Sequence, residues 1–231
     1  MSTLLLEARQ TPDSNQIWRE AIRRGFKTRR VAANEDVSDC PDIIGYYGNA
    51  MTAQSLCGSP IRFKPIPPYY ITTLPRQYVG RSIICLPFSA VSQPHPCDRF
   101  IKCVGNKWIE ARIYHAGETI AGAPLPDDLL YIQEPVQIKR EIRCFVLDGR
   151  IQTASQYRLD GVFAPAACEP IPATERIAHL LHKLPRGVVI DFGLIEDAWY
   201  VIEFNEAWAS GLYECDPEAA LDVILAAQEV S

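Results

Sequence analysis

The chain has 231 residues, of which 48% are hydrophobic, and its 23 basic and 28 acidic side chains leave a net charge of −5. That length and apolar content suffice to bury a core, as one large domain or two small lobes, and an acidic balance argues against a broad nucleic-acid footprint. The opening Leu4-Leu5-Leu6 run stops at Glu7, and no apolar run approaches the roughly 20 residues needed to span a bilayer, so a soluble cytoplasmic protein without a membrane partner is expected. The eight cysteines are scattered, with no CxxC pair and no zinc-like spacing, which predicts reduced thiols rather than a disulfide scaffold. His179 and His182 lack a third ligand nearby in sequence and are expected on a helix surface.

In chain order, Thr3–Glu7 predicts a short strand, followed by a helix that Ser14 caps, that carries Ile17, Trp18, Ala21 and Ile22, and that Gly25 ends. Phe26–Ala32 and Asp42–Tyr47 supply two more strands, so a small α/β unit on a parallel sheet is expected. Asn49–Leu56 starts a further helix. From Pro60 to Pro87 six prolines (Pro60, Pro65, Pro67, Pro68, Pro75, Pro87) disfavour long regular elements, because each fixes φ and removes a backbone donor. A surface connector is expected there.

After a turn-rich piece, Ser89–Asp98, the segment Arg99–Val104 reads as a strand carrying Lys102, with Gly105-Asn106 as a tight hairpin before Lys107–Tyr114. A lone strand lysine is either a solvated edge charge or, beside an anion, its partner. Leu129–Gln133 is an apolar strand running into Glu134-Pro135-Val136, and Arg140–Asp148 with Arg150–Tyr157 form a hairpin about Gly149. A helix capped by Thr174 carries Ile177, Leu180, Leu181 and Leu184 as a core stripe and ends at Pro185 and Gly187. The last helix begins at Asp216, with Pro217 in its first position and Leu221, Ile224 and Leu225 on one face, and is expected to pack on the preceding sheet.

The chain is organised around Gly187–Tyr213, where the strands Val188–Ile190 and Trp199–Phe204 are joined by a turn at Glu196-Asp197. Alternation puts Glu203 and Asn205 on one face, and an antiparallel hairpin brings Asp191 beside them. Two carboxylates and an amide oxygen suit magnesium, which keeps positions open for phosphate. The same three groups could instead face water. Asp191-Phe192-Gly193 also spells the metal-binding triplet of protein kinases, but no GxGxxG loop, VAIK-like lysine or HRD loop precedes it.

Lys102 on a strand, the Gln133-Glu134 pair, Glu141-Ile142-Arg143, Asp191, Glu203-Phe204-Asn205 and Ser210-Gly211-Leu212-Tyr213 follow one another in an order that resembles the ATP-grasp superfamily, and within it a compact clade of carboxylate–amine ligases. The resemblance covers about residues 99–213. It implies an α/β (α+β) fold in which two lobes grip ATP, preceded by a small α/β domain. The boundaries it implies are 1–75 for that domain with its connector and 76–231 for the ATP-grasp domain, with the small lobe over about 82–135 and the large lobe over about 136–231.

Carried over residue by residue, the resemblance puts Lys102 over the nucleotide phosphates, and Gln133, Glu134 and Val136 at the adenine edge. Glu141 accepts from the ribose hydroxyls, Arg143 reaches toward phosphate, and Asp191, Glu203 and Asn205 hold magnesium. An ion pair between Glu141 and Arg143 is the alternative for that pair. Two departures stand out: Val189 occupies the place of an arginine found two residues before the first metal-binding aspartate, and the glycine-rich loop is shortened to Gly105-Asn106. Arg158, then Arg186, are the nearest replacement cations, so Arg143 and Arg158 are the candidate catalytic residues. The implied cofactors are ATP and Mg, and the implied partners are small-molecule, peptide or protein carboxylates and amines. A nucleotide-binding regulatory or interaction module without turnover is the second reading.

Overall fold

Three consecutive leucines form the middle of strand β1 (Thr3–Glu7), buried on both faces because the strand is central in its sheet. The computed structural model describes residues 2–91, 94–105, 108–122, 125–168 and 177–231, without the side chains of residues 178 and 179. Strands β2 (Lys27–Val31) and β3 (Ile43–Tyr47) flank β1 in parallel, in the order β2-β1-β3, as the strand and helix pattern predicts. Helix α1 (Pro12–Arg23) begins one turn earlier than expected. Thr11 is its cap: Thr11 Oγ1 accepts from the Ser14 amide while Ser14 Oγ accepts from the Thr11 amide, and Pro12 fills the first position. Ile17 and Ala21 are buried, whereas Trp18 and Ile22 of the expected stripe are exposed. Asn49 caps α2 (Ala50–Ser55).

The proline-rich stretch is not a surface connector. It contains β4 (Ile61–Phe63), α3 (Arg76–Val79) and β5 (Ile83–Pro87), and it buries Tyr70, Ile71, Leu74 and Val79 in a core cluster. Prolines keep these elements short but leave their apolar side chains free to pack.

Strands β6 (Arg99–Cys103), β7 (Arg112–Tyr114) and β8 (Leu129–Gln133) complete an antiparallel sheet in the order β5-β8-β6-β7. One face carries Ile101, Leu130 and Ile132 into a core of its own, and alternation turns Lys102 and Tyr131 to the other. The expected tight hairpin does not join β6 to β7, since pairing starts only at Ile101↔Arg112. Asn106 and Lys107 lie outside the described residues, and so does Thr174.

The largest sheet has the order β11-β10-β9-β12-β13, formed by β9 (Ile138–Leu147), β10 (Arg150–Leu159), β11 (Val162–Ala167), β12 (Gly187–Ile195) and β13 (Ala198–Asn205). Two Asp-Gly turns set its hairpins, Asp148-Gly149 and Asp160-Gly161, and all four residues have positive φ as a two-residue turn of this hand requires. One face of the sheet is apolar throughout: Ile142, Cys144, Val146, Val188, Ile190 and Phe192 pack under Tyr70, Ile71, Leu74, Val79, Ile177 and Leu181. The described part of the expected 174–184 helix is a 3-10 turn, Ala178–Lys183. Asp191-Phe192-Gly193 lies inside β12 rather than in a loop.

Helix α4 (Pro217–Ala226), capped by Asp216, crosses the other face so closely that a Cβ on Gly187 would collide with the Val223 carbonyl. It packs on the large sheet, as expected, and also on the first unit. Leu221 and Ile224 join Phe145 and Val189 to Leu4, Leu5, Ile17 and Tyr46 in one continuous core. The chain then pairs β14 (Gln228–Val230) with β4, and the buried Gln228 amide accepts from Tyr46 N and donates to Tyr46 O and Ile224 O. No helix among the described residues is long and apolar enough to cross a membrane.

Candidate functional site

Along the face that α4 covers, the sheet changes character. Phe145 and Val189 are core, but two residues further along each strand the same face presents Arg143 and Asp191. Register lines up three strands: Arg143 opposes Asp191, and Asp191 opposes Glu203. The Arg143 guanidinium closes a fork on Asp191, with Nε to Oδ1 at 2.9 Å and the second nitrogen to Oδ2 at 2.8 Å, and it also donates to the Gly211 carbonyl at 3.2 Å. Burial alone pulls Arg143 down, but Asp191 offsets it and holds the guanidinium above its ordinary range. Burial pushes the Asp191 carboxyl up, and Arg143 opposes that shift. Three donors aimed at Asp191, two from Arg143 and one from Asn205 Nδ2 at 3.1 Å, leave it an acceptor only.

Glu203 is the next group in the row. Its Oε1 receives Lys102 Nζ at 2.7 Å, a contact that bridges the smaller sheet to the larger. Lys102 also stands 5.7 Å from the Tyr131 ring centroid. So Lys102 is not a solvated edge charge: its side chain is only 19% exposed. Asp191, Glu203 and Asn205 are together, as the hairpin predicts. The described residues hold no group of three or more His, Cys, Asp or Glu placed for a metal, and this trio, with one amide, supplies two carboxylates and one carbonyl oxygen. That donor set fits magnesium. In the free protein its charge is matched internally, by Arg143 on Asp191 and Lys102 on Glu203.

The segment between β8 and β9 follows directly. Gln133 is buried and its Oε1 accepts from Arg81 Nε at 2.8 Å. The Glu134 amide donates to the Ser82 carbonyl, while its carboxylate accepts from the Ser82 amide and pairs with Arg76, which hold it below the usual range, the Ser82 bond first. The Glu134 carbonyl and the Val136 amide have no backbone partner among the described residues. Glu141 shares the face of Arg143 but does not pair with it. Its carboxylate accepts from the Tyr157 hydroxyl at 2.6 Å and lies 3.7 Å from Arg158 Nε.

Arg158 therefore sits on β10 beside Glu141, one ladder step away from the Arg143–Asp191 row, and is half-exposed. Arg186 is at the opposite end of the hairpin, exposed and paired with Asp148. Neither is brought to Asp191. Val189 is fully buried against Phe145 and offers no charge.

Four further residues complete this surround. Tyr157 and Tyr213 stack at 5.0 Å with 15° between planes, and the Arg143 guanidinium lies 4.9 Å from the Tyr213 centroid. Burial pushes both tyrosines up. Asp13, from the start of α1, approaches the same end: a Cβ on Gly211 would lie 3.0 Å from its Oδ2. Its carboxyl is raised by burial, against a hydrogen bond from Leu212 and the charge of Arg143. Arg81 is the fourth, buried with its guanidinium pulled down to about 10 by desolvation. The one local signal was Tyr213 in the Ser-Gly-Leu-Tyr motif; the others meet only through tertiary packing.

The whole chain superposes on several solved enzymes. A D-alanine–D-alanine ligase from Bacillus anthracis complexed with ATP matches at 12% identity and a TM-score of 0.53, covering 97% of this chain and 96% of that one. The macrocyclase MdnC bound with precursor peptide MdnA, from Microcystis aeruginosa MRC, matches at 10% identity and a TM-score of 0.53, covering 97% and 99%. The ATP-grasp ligase PsnB, complexed with a phosphomimetic variant of a minimal precursor, Mg and ADP, matches at 14% identity and a TM-score of 0.53, covering 98% of each. These likenesses define the class: an α+β protein with the ATP-grasp fold. Residues 78–223, more than half of the chain, match a family described as an ATP-grasp domain, the second family of its clade, and the chain belongs to that family. No curated protein matches it in sequence.

Proposed function

We propose that this protein is an ATP-dependent carboxylate–amine ligase whose nucleotide site lies between the two sheets that Lys102 and Glu203 bridge. The observation that carries the reading is that bridge: a cation from one sheet and a carboxylate from the other meet at 2.7 Å beside the Arg143–Asp191 fork. The fold class supports ATP as the nucleotide, and the ATP complex of the D-alanine–D-alanine ligase and the Mg and ADP complex of PsnB give it precedents in that class.

In this reading Glu134 C=O and Val136 N–H, an acceptor and a donor with no backbone partner among the described residues, take the adenine edge, with Gln133 alongside. Glu141 takes the ribose hydroxyls, and Tyr157 holds its carboxylate in place. Lys102 exchanges Glu203 for phosphate oxygens, and Arg143 neutralises charge from the sheet side. Asp191, Glu203 and the Asn205 amide oxygen hold magnesium. When bound, the metal neutralises phosphate charge and orients the oxygens.

The chemistry has two steps. A substrate carboxylate oxygen attacks the γ-phosphorus of ATP, the bond to the β-bridging oxygen breaks, and an acylphosphate and ADP form. An amine nitrogen then attacks the acyl carbon, phosphate leaves, and the nitrogen loses a proton to give the amide. Positioning and fixed positive charge supply most of the rate. Arg158, beside Glu141 on β10, is the candidate catalytic cation, and it would have to swing from Glu141 toward the phosphate to act.

Buried Val189 favours a second reading, a nucleotide-binding module without turnover. A short lid lends it no support, since β6 and β7 are joined by a long connection. Assaying ADP and phosphate release against panels of amino acids and peptides separates the two. The ligase reading predicts release only when a carboxylate and an amine are both present. ATP binding without release under every mixture would leave the module.

A further inference from the structure

Arg81 is 4% exposed, and no carboxylate pairs with it among the described residues. Its guanidinium instead serves four neutral acceptors: Gln133 Oε1 at 2.8 Å and the carbonyls of Val79 at 2.7 Å, Val201 at 3.1 Å and Ile202 at 3.1 Å. A buried guanidinium held only by neutral groups is costly, and burial indeed makes its charged form harder to keep. Its acceptors fall at two places the proposed site depends on, the strand end at Gln133 and the middle of β13.

Register shows what it does in β13. From Ile195↔Ala198 to Phe192↔Val201 the β12–β13 ladder is regular, then Asp191 pairs with Glu203 and Val189 with Asn205. Ile202 is the extra residue, a β-bulge. Consecutive carbonyls of a regular strand point to opposite sides, so one guanidinium collecting those of Val201 and Ile202 is what a bulge there permits. Without the bulge Asp191 would oppose Ile202, and Glu203 and Asn205 would turn to the other face of the sheet, because a slip of one residue inverts every side chain beyond it. That face is apolar core.

We propose that Arg81 is a positioning residue that holds the β13 bulge and so keeps Glu203 and Asn205 on the face of Asp191, while its Nε fixes the Gln133 amide at the strand end beside the nucleotide. The functional consequence rests on the reading of that face as the Mg·ATP site. Gln133 and Glu203 are thereby tied through one side chain, which couples the adenine end of the site to its metal end.

Arg81→Lys keeps the charge but loses the fork, since an ammonium lacks the planar geometry that reaches Gln133 and both β13 carbonyls together. Two readouts follow. Amide hydrogen exchange of the free protein over Trp199–Asn205 is expected to speed up by about tenfold or more while β9 and β10 keep their protection. ATP titrated with Mg is expected to bind about 10-fold weaker or more, a typical loss for a group that orients metal ligands, with affinity in EDTA changed by less than about threefold. Gln133→Met cuts only the strand-end contact, so it is expected to weaken ATP by the same factor with and without Mg and to leave β13 exchange as in wild type. Wild-type exchange over Trp199–Asn205 in Arg81→Lys, or an unchanged effect of Mg on ATP affinity, overturns the proposal. A wild-type protein that fails to bind ATP sinks the ligase reading instead, and the exchange measurement still decides the role of Arg81.

Discussion

Asp191 and Arg143 are almost wholly withdrawn from solvent, with side-chain exposures of 1% and 10%. Each therefore depends on the other more than either would in water. Asp191→Ala leaves Arg143 buried with only the Gly211 carbonyl and the two tyrosine rings, and is expected to cost about 3 kcal/mol of folding stability. Replacing both residues, Asp191→Leu with Arg143→Met, removes the stranded charge and is expected to cost clearly less than the single change. Denaturant unfolding at neutral pH reads both, and a double variant no more stable than Asp191→Ala would contradict the pairing. At this scale Lys102 on its strand and the shared face of Glu203 and Asn205 were legible, because alternation puts residues two apart on one side of a strand; that Asp191 joins them depends on register. Arg81 and Asp13 were not, since their partners Val201 and Leu212 lie on other elements and no spacing records the meeting.

Between elements, helices α1 and α4 are clamped by charge. Glu20 is buried and accepts from Arg23 and Arg24, which reach on to Glu218 and Asp222 of α4. The Arg23 hydrogen bond comes first among the causes that lower the Glu20 carboxyl below its usual range. A carboxylate with a depressed folded value contributes stability above its unfolded value, about 4.3, and loses it as pH falls through the folded one. Glu20→Gln is thus expected to be less stable than wild type by about 1 kcal/mol at pH 7, an amount kept small by solvent screening of the arginines. The gap should close below about pH 4; thermal unfolding from pH 7 to 3 checks it, and a gap constant with pH would contradict the clamp. Elements with their own signals were legible: the leucine run of β1, the Asp-Gly turn after β9, Asp216-Pro217 opening α4. Strands β4, β11 and β14 were not. β4 and β14 are three residues each and exist because Ile61–Val230 pairing joins distant segments, and β11 follows an Asp160-Gly161 turn that the sequence reading passes over.

Across the molecule, one core runs from Leu5 through α4 to Phe145 and Val189, and one lysine joins the smaller sheet to the larger. The division at residue 75 that the sequence suggests is therefore best understood as a proposal about folding units that share a core through α4. The site follows from the same arrangement, because Arg143, Asp191 and Glu203 lie on the part of that sheet face that extends past α4, beyond Phe145 and Val189. The order of motifs along the chain carried the class, since ATP-grasp signatures are spaced by strands whose alternation is visible in sequence. The bulge at Ile202, which decides that Glu203 and Asn205 share a face with Asp191, was invisible, because an antiparallel ladder of either register reads the same along one chain. The most direct measurement is a crystal structure with a non-hydrolysable ATP analogue and manganese, whose anomalous signal locates the metal. The account predicts a peak at coordination distance from Asp191, Glu203 and the Asn205 amide oxygen, with Lys102 Nζ moved from Glu203 to phosphate. Bound nucleotide with manganese away from all three residues, and Lys102 still on Glu203, would contradict it.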